Sequence, residues 1–579
     1  MRENPYLSAV SQLRTLVPNR WDIVAIPLIF GVVFAIVIGV RQMAAPVEVL
    51  QTTAITLDPA NLPEYALRTV LRMLAALVAS LVFTLVYGAL AAKSRRLAVV
   101  LIPLLDVLQS VPVLGYLSFT VTFFLGLFPH SVAGAELAAI FAIFTSQAWN
   151  MTFSFYQSLI TVPHDLDEAA RAFRFSSWQR FWRLDVPFAM PGLIWNMMMS
   201  MSGGWFFVVA SEAITVGDNH ITLPGIGAYV ATAIEHKDLS AVGWAILAMT
   251  VVILLYDQLM FRPLVAWADK FRFENVGSQL APESWLLSLF QRARFVQRAA
   301  APVGRAMGAL LRLPNAQFRL PIGVRVRWAP PARLLDVAWY ALLALGALWT
   351  VQTVFDYLAA SLGWSDLFTT LRLGAYTMIR VIVLIALATV VWVPIGVAIG
   401  LRPKLAEKVQ PLAQFLAAFP ANLLFPVAVV LMVHFALDPN IWLAPLMILG
   451  TQWYILFNVI AGASTFPTDF TEAAENFHIT GFLWWRKVML PGIFPFYVTG
   501  AITASGGAWN ASIVAEAVSW GDTKLTAAGL GSYIAQMTDA GDYPRIVLGI
   551  AVMSAFVILF NRLLWRPLYG YAERRLRLD

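Results

Sequence analysis

Two short polar stretches carry the most suggestive chemistry in the chain. One reads Pro163-His-Asp-Leu-Asp-Glu-Ala-Ala-Arg-Ala-Phe173 and the other Pro467-Thr-Asp-Phe-Thr-Glu-Ala-Ala-Glu-Asn-Phe477. Each offers one carboxylate (Glu168, Glu472), two alanines that keep a helix face slim (Ala169 and Ala170; Ala473 and Ala474), and an apolar anchor (Phe173, Phe477). That combination suits docking of another protein. Asp165 and Glu168 stand three apart, as do Asp469 and Glu472, which predicts a short helix with Asp as its N-cap. Pro187 and Pro491 predict a break before the apolar segment that follows each stretch.

A second set of polar groups lies inside apolar segments: Asn196, Ser200, Ser202 and Trp205, then Thr503, Ser505, Trp509 and Asn510. In a bilayer such groups face a cavity or another helix. The glycines beside them, Gly203, Gly204, Gly506 and Gly507, allow close helix packing. Arg72 and Arg380 are also embedded, where they could meet an anion or snorkel toward headgroups. Glu212 and Glu516 would repel an anion if unpaired, so a structural pair or a protein contact is expected of them. Catalysis is not expected. The seven lysines never follow a glycine, which excludes a Gly-x-x-x-x-Gly-Lys phosphate loop. The six histidines have no metal-ligand spacing, and the absence of cysteine removes thiolate chemistry. No cofactor or metal is expected on this chain.

The elements that must position these residues are membrane helices. Of 579 residues, 59% are hydrophobic and only 13% charged, about half the charge of a soluble domain. Apolar runs of bilayer-spanning length predict twelve spans near 23–40, 69–92, 99–126, 133–160, 187–212 and 240–262, then 334–358, 374–401, 409–436, 441–464, 491–516 and 544–566. The first run lacks a small-residue cleavage site and reads as a retained helix. Most of the 40 Lys and Arg residues fall on the side shared by both termini, which predicts cytoplasmic termini. The net charge of +7 is thus a topology signal, and nucleic acid is not an expected partner. Residues 264–333, rich in Arg and Pro, read as a basic linker between domains at 1–263 and 334–579, with an interfacial amphipathic stretch from Glu283 to Leu313.

The chain is internally duplicated. Residues 149–267 align with 453–571 at a constant offset of 304, pairing Trp149 with Trp453, Glu168 with Glu472, Trp205 with Trp509, Glu212 with Glu516, and Gly225-x-Gly227 with Gly529-x-Gly531. Upstream the offset is 308, pairing Arg72 with Arg380 and Pro112 with Pro420. Six spans per copy give both copies the same orientation, so a pseudo-two-fold axis along the membrane normal is expected, with a solute site between the copies.

The paired Glu-Ala-Ala loops resemble those of the permease subunits of ATP-binding-cassette importers, and Gly203-Gly-Trp-(x)6-Glu212, Gly507-Ala-Trp-(x)6-Glu516 and the Gly-x-Gly-x-Tyr runs ending at Tyr229 and Tyr533 are similar to the nitrate, taurine, sulfonate and bicarbonate branch. The resemblance implies an all-α type I importer permease fold with two parallel six-helix repeats. It implies that the loops are coupling helices for a cytoplasmic ATPase dimer, which carries ATP and Mg. It also implies a periplasmic or extracellular solute-binding protein, a bacterial inner-membrane location, and transport of a small anion along the fifth spans. The family's loop usually has Gly six residues after the Glu; here Arg174 and His478 stand there, which puts the bend of the loop in question. An ATP-independent secondary transporter is the alternative, though it leaves the paired loops without a role.

Overall fold

A computed structural model describes residues 19–43, 55–128, 131–216, 219–271, 284–312 and 332–575. Helix occupies all twelve predicted spans. Seven helices are long and apolar enough to cross a membrane, and nine if each of two bent pairs counts as one span. The bent pairs are Pro403–Ala418 with Ala421–His434, at 77°, and Pro439–Ile448 with Trp453–Ser464, at 42°. The counterpart of the first pair, Arg95–Ser110 with Val113–Leu127, is interrupted at Val111-Pro112, where both backbones are extended. Ala133–Ile160 is a core helix whose inward face carries Glu136, Thr145, Gln147 and Thr152, so its hydropathy is lowered by groups that its neighbours satisfy.

Burial orders the bundle. The most apolar window of Ser177–Ser211 is 67% buried, whereas that of Asp336–Ala359 is 0% buried. The fifth helices are therefore central. Asp336–Ala359 and its counterpart Asp22–Met43 present bare apolar faces, with Trp349 and Phe30 turned outward, as lipid contact requires. The two copies interlock. Val113, Leu114, Leu117 and Val121 of the first copy sit in the second copy's core, while Leu423, flanked by Phe415 and Phe419, sits in the first copy's core.

Pro187 and Pro491 do not break the chain as expected. Ser177–Ser211 and Gly481–Ala515 each run as one helix of 35 residues, with a single wide turn at Phe181–Asp185 and Trp485–Met489 just before the proline. A wide turn bonds i to i+5 and so absorbs the missing proline N–H. The last spans repeat the device at Asp257–Phe261 before Pro263 and Asn561–Trp565 before Pro567. At the far end, each fifth helix leads into a hairpin of four-residue strands: β1 (Ala213–Val216) with β2 (Asn219–Thr222), and β3 (Ala517–Trp520) with β4 (Thr523–Thr526). The linker contributes helices Trp285–Arg292 and Arg294–Arg312, the second capped by Asp22, which accepts from the Phe295 and Val296 amides. Arg319, Arg325 and Arg327 of the predicted basic stretch lie outside the described residues.

Candidate functional site

The two loop helices span His164–Ala172 and Thr468–Asn476. Each starts directly after a proline with extended backbone (ψ 142° at Pro163, 134° at Pro467), so the predicted N-cap role of Asp165 and Asp469 is not what forms. Proline fixes its own φ and has no N–H to satisfy, and it takes the cap position two residues earlier. The aspartates fall in the first turn, where negative charge favours the helix dipole. Ala170 and Ala474 turn inward, whereas Phe173 and Phe477 are 75% and 78% exposed. Glu168 is exposed beside His164 at 3.3 Å. Bare aromatics next to a carboxylate form the kind of patch that marks an interaction surface.

Arg174 and His478 adopt φ of 51° and 52°. The left-handed bend expected of Gly is kept by residues with side chains, at a cost of about 1–2 kcal/mol each. Arg174→Gly and His478→Gly are accordingly expected to stabilise their loops by about 1 kcal/mol, read as slower amide exchange across residues 164–180 and 468–484. The loops differ in character. Asp167 bridges Arg171 and Arg180, both at 2.7 Å, while the matched positions are Thr471, Glu475 and Trp484. There Trp484 meets Trp485 edge-on at 5.5 Å and Phe482 is 81% exposed. Both surfaces carry aromatics, Trp178 in the first and Phe482 in the second, but the paired charges around Asp167 have no counterpart in the second loop among the described residues.

Between the copies lies a cavity of about 200 Å³ walled by matched positions of both: Gln109 with Ala417, Asn150 with Tyr454, Ser202 with Gly506, and Phe206 with Asn510. The pseudo-two-fold axis passes through it. Ser202, Thr503 and Asn510 reach this cavity. Ser202 bonds Tyr454 at 2.6 Å and donates to the Ala417 carbonyl at 2.9 Å, while Asn510 accepts from the Val113 amide at 2.8 Å. A larger cavity of about 660 Å³ continues from shared walls at Gln109, Asn150 and Gly506 and is lined by Asn196, Ser505 and Trp509, with Arg566 as its charged residue. No carboxylate lines either cavity among the described residues. Ser200 and Trp205 stand elsewhere. Ser200 is buried without a hydroxyl partner among the described residues, and Trp205 packs edge-on against Tyr256 at 5.3 Å and lines a third cavity, the counterpart of the second, which shares Ser202 and Ala417 with the first and carries Asp257 and Arg262. Gly204 and Gly507 are packing glycines, where an added Cβ would meet Met73 at 2.7 Å and Thr451 at 2.4 Å; Gly203 and Gly506 face open space. Sequence reasoning missed Gln109, Asn150 and Tyr454. They lie on helices whose apolar character concealed which face meets the axis.

Arg72 and Arg380 stand outside both cavities, in buried ion pairs at the hairpin end. Arg72 donates Nε and Nη2 to Glu136 at 2.6 and 2.7 Å, and Nη1 to Glu212 at 2.7 Å and to the Pro224 carbonyl at 3.0 Å. Glu212 also accepts from Thr69 and from the Gly227 amide, both at 2.7 Å. This explains the Gly-x-Gly run: a Cβ on Gly225 would stand 2.3 Å from the Glu212 carboxylate, and one on Gly227 would stand 2.2 Å from the Val209 carbonyl oxygen. The second copy repeats the knot with Arg380, Glu516, Thr377 and the Gly531 amide. Glu212 and Glu516 are thus structural partners, the role expected of them.

Residues 84–262 and 391–578 each match the family described as the inner membrane component of binding-protein-dependent transport systems. The chain belongs to this family. As a member it carries the family domain twice, once in each half. Among curated relatives it is similar to a bicarbonate transport system permease protein, CmpB, of Synechocystis sp., 28% identical over 31% of this chain and 60% of the relative. It is also similar to a nitrate import permease protein, NrtB, of Leptolyngbya laminosa, 25% identical over 33% and 64%. ProW of Escherichia coli, a glycine betaine/proline betaine transport system permease protein, is 32% identical over 28% and 44%. The chain spans less than two thirds of the length of each of these relatives.

Proposed function

We propose that this chain is the complete transmembrane pathway of an ATP-binding-cassette importer for a small anion, with both permease roles on one polypeptide. One observation carries the reading: each exposed loop is joined, through a short turn, to an unbroken 35-residue helix that forms a wall of the axial cavities. A push on either loop therefore reaches the cavity wall directly. The loops face the cytoplasm, where an ATPase dimer docks on Glu168, Ala169 and Phe173 and on Glu472, Ala473 and Phe477, while Ala170 and Ala474, turned inward, let each loop helix lie close to the bundle. ATP and Mg reside on that dimer. A solute-binding protein delivers cargo at the hairpin end, and closure of the ATPases rocks the halves between outward-open and inward-open states. Walls of amides and hydroxyls, with Arg566 on one side and Asp257 on the other neutralised by Arg262 at 3.2 Å, suit an anion of the nitrate, sulfonate or bicarbonate kind. The chain lies in a bacterial inner membrane with both termini cytoplasmic.

Reconstitution tests this. Proteoliposomes holding the chain and its ATPase should accumulate labelled bicarbonate or nitrate only with ATP inside the compartment that bears the loops. Uptake without nucleotide overturns the reading. Gly506→Leu supplies a sharper probe, because its Cβ meets nothing within 4 Å and its side chain would fill a cavity of about 200 Å³. Uptake is expected to fall at least about tenfold while the melting temperature stays within a degree or two, since no packed neighbour is displaced.

A further inference from the structure

The two buried knots are built alike but are not equally filled. In both, Nη1 of the arginine serves the fifth-helix glutamate and a carbonyl of the outer segment: Glu212 and Pro224 for Arg72, Glu516 and Ala528 for Arg380. The other edge differs. In Arg72 the Nε and Nη2 hydrogens both donate to Glu136, a two-point contact to a planar carboxylate. In Arg380 that edge has no partner among the described residues, and its side chain is 14% exposed where that of Arg72 is 0%. The sequence gives the reason. Carried upstream of residue 149, the offset of 304 sets Glu136 opposite Asn440, which accepts from the Ala528 amide at 2.9 Å instead. Asp438, close by, is occupied by the Asn440 amide groups. The first knot thus holds two carboxylates around one arginine, and the second holds one.

We propose that the Nε/Nη2 edge of Arg380 binds a small planar oxyanion that takes the place of the missing carboxylate. The guanidinium fork matches two coplanar oxygens, and Arg72 shows that this cage accepts a second carboxylate in that position. Formate presents two such coplanar oxygens on the smallest frame, and a spherical halide cannot make both contacts. The site lies at the hairpin end, apart from the axial cavities, and does not depend on the transport reading.

The test uses the full chain in nanodiscs of phosphatidylcholine, with sodium formate replacing sodium chloride at constant ionic strength and tryptophan fluorescence reporting melting. Formate is expected to raise the melting temperature saturably by about 2 °C. Asn440→Glu, which supplies the carboxylate in cis, is expected to melt higher than wild type and to lose the formate response. Arg380→Lys keeps the charge without the fork and should lose it as well. Equal melting in chloride and formate, or a response that survives in both variants, overturns the proposal. So does a wild-type response abolished by anionic phosphatidylglycerol nanodiscs, since a lipid phosphate would then be the occupant.

Discussion

Arg72→Gln is expected to leave little folded protein. The substitution strips the only cation found among the described residues from two carboxylates that are 4% and 0% exposed, Glu136 and Glu212. Removing one partner of a buried pair costs about 3–5 kcal/mol, against a total stability of roughly 5–15 kcal/mol. The knot also ties four separate elements together, the second helix, the start of Ala133–Ile160, the end of the fifth helix through Glu212, and the outer segment through the Pro224 carbonyl, so its loss frees all four. Arg380→Gln should cost less, about 2 kcal/mol, because a single carboxylate is orphaned and the arginine is partly exposed. Folded yield by size exclusion and melting in detergent measure both. Equal losses would show that Glu136 contributes nothing, and the double variant Arg72→Gln/Glu136→Gln should recover part of the loss by removing one stranded charge.

Phe173→Ala and Phe477→Ala are expected to abolish ATP-driven uptake while leaving the fold unchanged. Both rings are about three-quarters exposed, so truncation removes no core packing. At an interface, loss of an aromatic anchor costs about 2–4 kcal/mol, or roughly 30- to 1,000-fold in affinity. Charge reversal should separate the loops. Glu168→Arg acts beside the Asp167, Arg171 and Arg180 ion pairs, so its effect should shrink at high salt. Glu472→Arg lies near Phe482, Trp484 and Trp485, where apolar contact dominates and salt should matter little. Binding of the purified ATPase to each variant at 50 mM and 500 mM salt, about a threefold change in Debye length, provides the measurement. Identical salt dependence would make the two loops equivalent.

The duplication, the twin loops and the spans themselves were legible in the sequence because each rests on strong signals: a gapless offset, a motif present twice, and long apolar runs; the central place of the fifth spans came from the family resemblance. The pairing of Glu212 with Arg72 was legible as a need, since a buried carboxylate must find a cation, but the partner's identity required the fold. Three features were not legible, each for a physical reason. Pro187 reads as a stop because proline removes an i to i+4 bond, and only the local i to i+5 turn at Phe181–Asp185 shows how the helix survives it. The hairpins escaped notice because four-residue strands are too short for a period of two to register. The axial polar groups escaped because Gln109, Asn150 and Tyr454 are dispersed on helices that are otherwise apolar, and facing is a property of the assembled pair. Ser200 looked like a path residue by its neighbours in sequence, yet a helix turns 100° per residue and carries it away from the cavities.

The exchange of Glu136 for Asn440 illustrates what joining two permeases end to end makes possible. In an assembly of two identical subunits, every substitution on the axis or in a knot is made twice, and a change tolerable on one side must also be tolerable on the other. A single reading frame removes that condition. Each half of this chain is free to specialise at one residue while its twin keeps a different arrangement, so a dock with paired charges can stand opposite one without them and a saturated arginine opposite an unsaturated one.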